Sequence, residues 1–224
     1  MYKKAFVTIL VVFGAVQNLY AAIGCSLTDP DRDIKRLFPN ATNYKTEFIT
    51  IAERGGKELA QRVEAKLKDK LEPTYEALDV PYTYYTVLKG KDIIGYVHGV
   101  NQKGMFGVMQ LVVTMDPNGV IMDFYYQKIT SPESQKFRDE KFTKQFVGLC
   151  LADFYTKDLR EKIKDPSQSS AEDYIATLRG IKKNLILTDE FKLNNKYDKY
   201  FHSDKNKSEN KNENIKENEN ENKK

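Results

Sequence analysis

Four segments rich in β-branched and aromatic residues follow one another between 82 and 130, and each is cut off from the next by residues that turn a chain. Tyr82-Thr-Tyr-Tyr-Thr-Val-Leu88 is followed by Lys89-Gly-Lys-Asp92. The segment 93–100 runs into Asn101-Gln-Lys-Gly104, and 105–115 runs into Asp116-Pro-Asn-Gly119 before 120–130. Val, Ile, Thr and Tyr suit a pleated surface, and Asp-Pro-Asn-Gly has the residues a tight turn needs. Connections this short join only antiparallel neighbours. The spacing therefore predicts an antiparallel meander of about four strands.

Helical patterns lie on both sides of it. Asp29-Pro-Asp-Arg-Asp33 reads as a turn leading into a short helix with Ile34, Leu37 and Phe38 on one side, ended at Pro39. A strand is predicted over 44–51, broken by Gly55-Gly56. Leu59, Val63, Leu67 and Leu71 then recur every four positions over 57–71, the mark of an amphipathic helix packed on a core. After the meander, a long helical region is expected over 135–164, with Phe137, Phe142, Phe146, Leu149, Cys150 and Phe154 as its apolar stripe. Ser169-Ser-Ala-Glu172 fits a capping box opening a last helix that carries Ile175, Leu178, Ile181 and Leu185. Together these elements predict an α+β fold, an antiparallel meander sheet packed with helices.

The ends of the chain read differently. Lys3 and Lys4, the apolar run 5–16 and Leu19-Tyr-Ala-Ala22 have the layout of a secretory signal, so export is expected. Ala22-Ile-Gly-Cys25 could serve as a lipobox with a lipid anchor at Cys25 and the signal ending at 24. Cleavage after Ala21 or Ala22, giving a signal over 1–22, is equally open, and an uncleaved anchor is the third route. The segment 203–224 is nearly all Asn, Lys and Glu, with six Lys against six Asp and Glu. It is expected to be disordered and to add neither anchoring nor stability. One α+β domain over 26–202 remains. With so little imbalance, the formal net charge of +4 does not point to nucleic acid.

Within 87–187 the order of parts resembles the FMN-binding domain of the flavin subunits of sodium-pumping NADH:quinone oxidoreductases and Rnf-type complexes. Gly104-Met-Phe-Gly107, continuing to Asp116-Pro-Asn-Gly119, is similar to the family's Gly-x-x-Gly strand and Asp-x-x-Gly turn. Glu133-Ser134 stands where the family has Glu-Thr ahead of Pro-Gly-Leu-Gly, although the glycines are absent. Read without the family, Ser131-Pro-Glu-Ser134 is a helix start with Ser131 as N-cap and Pro132 at the first position. Ser169-Ser170-Ala171-Glu172 matches the family's Ser-Gly-Ala-Thr, with Ser170 for Gly and Glu172 for the Thr that esterifies the flavin phosphate.

The resemblance implies contacts to FMN from Gly104, Met105, Gly107, Glu133, Ser134, Ser169, Ser170 and Ala171. It also implies that covalent attachment at Glu172 is impossible, so any flavin would be held noncovalently. Ser169, Ser170 and Thr177 remain as fallback hydroxyls. On this reading the protein carries electrons between extracytoplasmic or membrane-bound redox partners, the flavin supplying the chemistry. The alternative is a flavin-free accessory or binding module that keeps the fold.

Other chemistries lack material. The chain has only two histidines and two cysteines. A His-based metal site or a Ser-His-Asp triad cannot be assembled from them. His98, between Val97 and Gly99, is read as a sheet histidine, with a flavin-lining ring as the other option. Cys150 lies in an apolar setting that suits an inert thiol.

Overall fold

The computed structural model describes residues 25–202. The expected signal segment and the segment 203–224 lie outside the described residues. The fold is α+β, and its sheet has five antiparallel strands in sequence order. They are β1 (Asn43–Ile49), β2 (Tyr82–Lys89), β3 (Asp92–Gly104), β4 (Gly107–Met115) and β5 (Ile121–Lys128). The meander is one strand wider than expected because β1 pairs with β2 from Asn43↔Leu88 to Ile49↔Tyr82. Ile51, expected at the end of that strand, instead opens a short helix, α2 (Ile51–Arg54), behind a Thr50–Glu53 capping box.

Asn101 to Gly104, expected as a connection, is the end of β3. The ladder runs unbroken from Asn101↔Gln110 to Gly104↔Gly107, which leaves Met105 and Phe106 as the whole turn. Gly107 closes that turn with φ of +131°, which a side chain would resist. Pairing satisfies the backbone here and overrides the polar composition.

Both faces of the sheet are covered, following the two-residue alternation of strands. Tyr84, Val100, Leu111 and Val113 point into the larger core, with α8 (Ala171–Lys192) across it, chiefly over β3. Gly180 lets that helix come close: a Cβ there would sit 2.1 Å from Leu111 Cδ1. The helix α3 (Gly56–Leu67) flanks α8 and ends earlier than the pattern suggested, because Lys68 turns left-handed.

On the opposite face, Tyr85, Val87, Val97 and Val112 meet Cys25, Leu27 and α1 (Pro30–Leu37). That helix starts earlier than read, since 30–33, expected as a turn, is its first turn: Asp29 accepts from the Arg32 N–H at 3.2 Å, with Pro30 at the first position. Cys25 is 2% exposed, and a Cβ on Gly99 would lie 2.6 Å from its sulfur and 2.4 Å from its carbonyl oxygen. Burial pushes the thiol pKa up to about 12. A lipid on this sulfur has no room in the packing, so lipidation would pull residues 25–27 off the sheet.

Gly99→Val should do the same. Alkylation of Cys25 by iodoacetamide, quantified on its peptide by mass, is expected to rise on the order of tenfold in that variant. An unchanged rate would show that the segment is not seated on Gly99.

The long helix expected over 135–164 is broken into pieces: α4 (Ser134–Arg138), α5 (Glu140–Thr143), a 3₁₀ turn (Lys144–Phe146), α6 (Leu151–Thr156) and α7 (Leu159–Lys162). The cause is the edge of β5. Ile121 donates to Leu149 O and accepts from Gly148 N, both at 2.8 Å, so the chain leaves the helical path to cover that edge. Gly148, at φ of +83°, makes the departure. The aromatic stripe survives the breaks, as Phe137, Phe142 and Phe146 stack edge to face at 5.7 and 5.4 Å.

Candidate functional site

The first turn of α8 is where the singled-out segments meet. Asp173, 1% exposed, accepts the Met105 N–H at 2.7 Å. A Cβ on Gly104 would lie 2.5 Å from the same carboxylate oxygen, so the hairpin tip is locked to the helix start only because residue 104 is glycine. Gly107 faces Thr130, whose hydroxyl would be 2.9 Å from an added Cβ.

Glu133 crosses from the other side. Its carboxylate accepts from the Gln168 N–H at 3.1 Å, from the Ser169 N–H at 2.9 Å and from the Ser169 hydroxyl at 3.1 Å, and pairs with Lys136 at 2.6 Å. Lys136 foremost, and then these amides, hold its carboxyl well below the usual carboxylate range. Glu133 is therefore ionised across ordinary pH. Its bonds favour the fold at neutral pH, and that contribution is lost progressively as pH falls from the ordinary carboxylate range through its depressed value.

Both local readings of the helix starts need correction. Ser169 does not form a capping box with Glu172. Ser170 holds the N-cap position, its hydroxyl does not cap, Ala171 is the first helical residue, and Glu172 is exposed. The Ser169 N–H and hydroxyl instead both donate to the Glu133 carboxylate. Likewise, α4 begins at Ser134 with Glu133 in the N-cap position, so Ser131 is not the cap. Ser131 makes the preceding turn, accepting the Ser134 N–H on its carbonyl at 3.0 Å and the Glu133 N–H on its hydroxyl at 3.3 Å. Thr177 is buried, its hydroxyl 2.7 Å from both Tyr126 OH and Asp173 O, and is not available as an acceptor.

The three segments thus converge, but around carboxylates. The seat that a flavin phosphate would need, free amides before a helix, is filled by Glu133, with Asp173 and Glu172 close behind. The residues present do not fit a phosphate dianion. His98 is no flavin-lining ring either: fully buried, it stacks on Tyr84 at 3.9 Å, and burial keeps it neutral by lowering its pKa.

A second polar cluster escaped the sequence reading. Glu76, in the connection before β2, pairs with the fully buried Lys183, whose ammonium also donates to Asn101 O at 2.6 Å. Arg179 donates to Glu76 at 3.0 Å, to Gln102 at 2.8 Å and to Asp69 at 2.5 Å. Arg179 and Lys183 are one helical turn apart on α8. That spacing, with a lysine inside an apolar stripe, was the available signal. The network ties the 69–76 connection and the end of β3 to α8, which is a structural role.

Among the described residues no group of three or more His, Cys, Asp or Glu side chains could hold a metal ion, and no helix is long and apolar enough to cross a membrane. Compared with known proteins, the chain matches no family model and no curated protein.

Proposed function

We propose that this chain is an exported, flavin-free domain that keeps a frame of the FMN-binding kind and works as a binding module beside membrane-associated redox proteins. The observation that carries the reading is Glu133, whose carboxylate already sits on the Gln168 and Ser169 amides. An internal anion there removes the donors and repels a second anion. What the site offers outward is the β3–β4 tip: Met105 and Phe106 are 53% and 45% exposed, on a turn fixed by Asp173. Exposed apolar side chains on a rigid turn suit protein contact better than cofactor chemistry.

Titration of the purified domain with FMN tests this. The protein is expected to be colourless and to leave FMN fluorescence unquenched at micromolar concentrations. A yellow protein, or saturable quenching, would overturn it. A combined variant, Glu133→Gly with Ser170→Gly and Glu172→Thr, is expected to gain flavin in the presence of a flavin transferase, because the change frees the amides and supplies the acceptor.

A second reading has one observation in its favour. Gly104 to Gly107, Glu133 and Ser169 to Ala171, distant in sequence, do gather at one helix start, as the resemblance implies. In that case FMN is held noncovalently and supplies one- or two-electron chemistry between extracytoplasmic partners. The same titration decides between the two.

A further inference from the structure

A stripe of α8 stays accessible and forms the wall of a cleft of about 270 Å³ with the ends of α3, α6 and α7. Its floor is apolar: Leu67, Phe154, Leu159, Ile175 and Leu178. Its rim carries Lys157, Arg160, Arg179 and Lys182, of which Lys157 is paired with Asp153 and Arg179 with Asp69 and Glu76, and the one acid in the lining is Asp158. That acid is already engaged in capping, accepting the Arg160 N–H at 2.9 Å. Arg160 itself makes no ion pair among the described residues. A cationic rim over an apolar floor fits an acidic segment with an apolar side chain at its centre.

Such a segment lies just beyond the described chain. Residues 203–224 contain one apolar residue, Ile215, and from 213 to 221 four Glu surround it against one Lys. The point of departure is beside the cleft. The Phe201 ring is 5.6 Å from Tyr155, and Lys182 of the rim lies over that same Tyr155 at 5.5 Å. From His202 to Glu213 the chain can span roughly 36 Å at about 3.3 Å per residue, more than enough to return.

We propose that residues 213–221 dock in this cleft in the same molecule, Ile215 on the apolar floor and Glu213, Glu217 and Glu219 at the rim. The contact departs from the sequence expectation that this segment does nothing. Tethering makes it workable: a short tether gives an effective concentration of about millimolar, so a weak site is still filled. It also makes the occupant replaceable by a partner's acidic segment of higher affinity.

Paramagnetic relaxation in the full chain tests the proposal. With Cys150→Ser to leave the probe site unique on the surface, a nitroxide on Asn218→Cys is expected to broaden the amides of Arg160, Ile175 and Leu178 about fivefold more than those of β1. The difference should vanish in Arg160→Glu/Lys182→Glu, which keeps the floor intact. It should return when Glu213→Lys/Glu217→Lys is added to that variant. Uniform broadening over the surface would overturn the proposal. So would broadening that grows with protein concentration, because the occupant would then be a second copy's segment.

Discussion

Glu76→Ala is expected to lower the unfolding free energy by about 3–5 kcal/mol, read from urea denaturation at pH 7, because it leaves Lys183 buried without its partner. Burial already holds the Lys183 ammonium down at about 8, below its usual range, with Glu76 opposing that shift. Without Glu76 the opposition is gone and the amine sheds its proton more readily. A lysine whose folded pKa lies below its unfolded value binds fewer protons in the fold between those two values, so stability rises with pH there. The loss in Glu76→Ala should therefore be largest at acid pH and shrink as pH climbs towards 8, above which Lys183 is neutral in both proteins and the difference levels off. A pH-independent loss would mean that the connection before β2, rather than the stranded charge, is what failed. Lys183→Met with Glu76→Gln, which removes both charges, is expected to recover most of the stability.

Phe137→Ala is expected to cost about 3–5 kcal/mol as well, by a different route. Phe137 is fully buried and meets Tyr126 at 6.2 Å and Phe142 at 5.7 Å, at the start of the aromatic run under the broken helical segment. It also lies on the short helix that Glu133 opens. The cavity should loosen α4 and, with it, the carboxylate seated on Gln168 and Ser169. Hydrogen exchange at the Ser169 amide is the measurement: it should speed up by more than global destabilisation explains. Equal acceleration across α8 would show that Glu133 is held by its own bonds and not by Phe137.

Local signals proved readable where the chemistry is local. Asp116 builds the Asp-Pro-Asn-Gly turn by itself, accepting the Asn118 and Val120 N–H groups at 2.8 and 2.9 Å. Asp29 and Pro30 likewise define the start of α1 from neighbours alone. What could not be read needed a partner from elsewhere. The stripe from Phe137 to Phe154 has helical spacing, yet the demand of the β5 edge for partners at Gly148 and Leu149 breaks it. Ser169 and Glu172 have capping-box spacing, yet a carboxylate from residue 133 takes the Ser169 groups. Lys183 and Glu76 went unread as a pair because they lie on α8 and in a distant connection. The candidate site was legible as three segments and illegible as electrostatics, since the deciding anion is a tertiary contact.

The strand order has a consequence for how the chain reaches this fold. Pairing β3 with β4 and β4 with β5 closes loops of a few residues and costs little chain entropy, whereas Ile49 finds Tyr82 only across α2, α3 and the connection that carries Glu76. Folding should therefore nucleate in the hairpins around Gly107 and Gly119, with β1 zipping on last. Substitutions in the β3–β4 ladder would slow the folding limb of a chevron, and substitutions in β1 would speed the unfolding limb. The outermost strand is then also the first to peel away under stress, exposing the β2 edge while the inner hairpins hold.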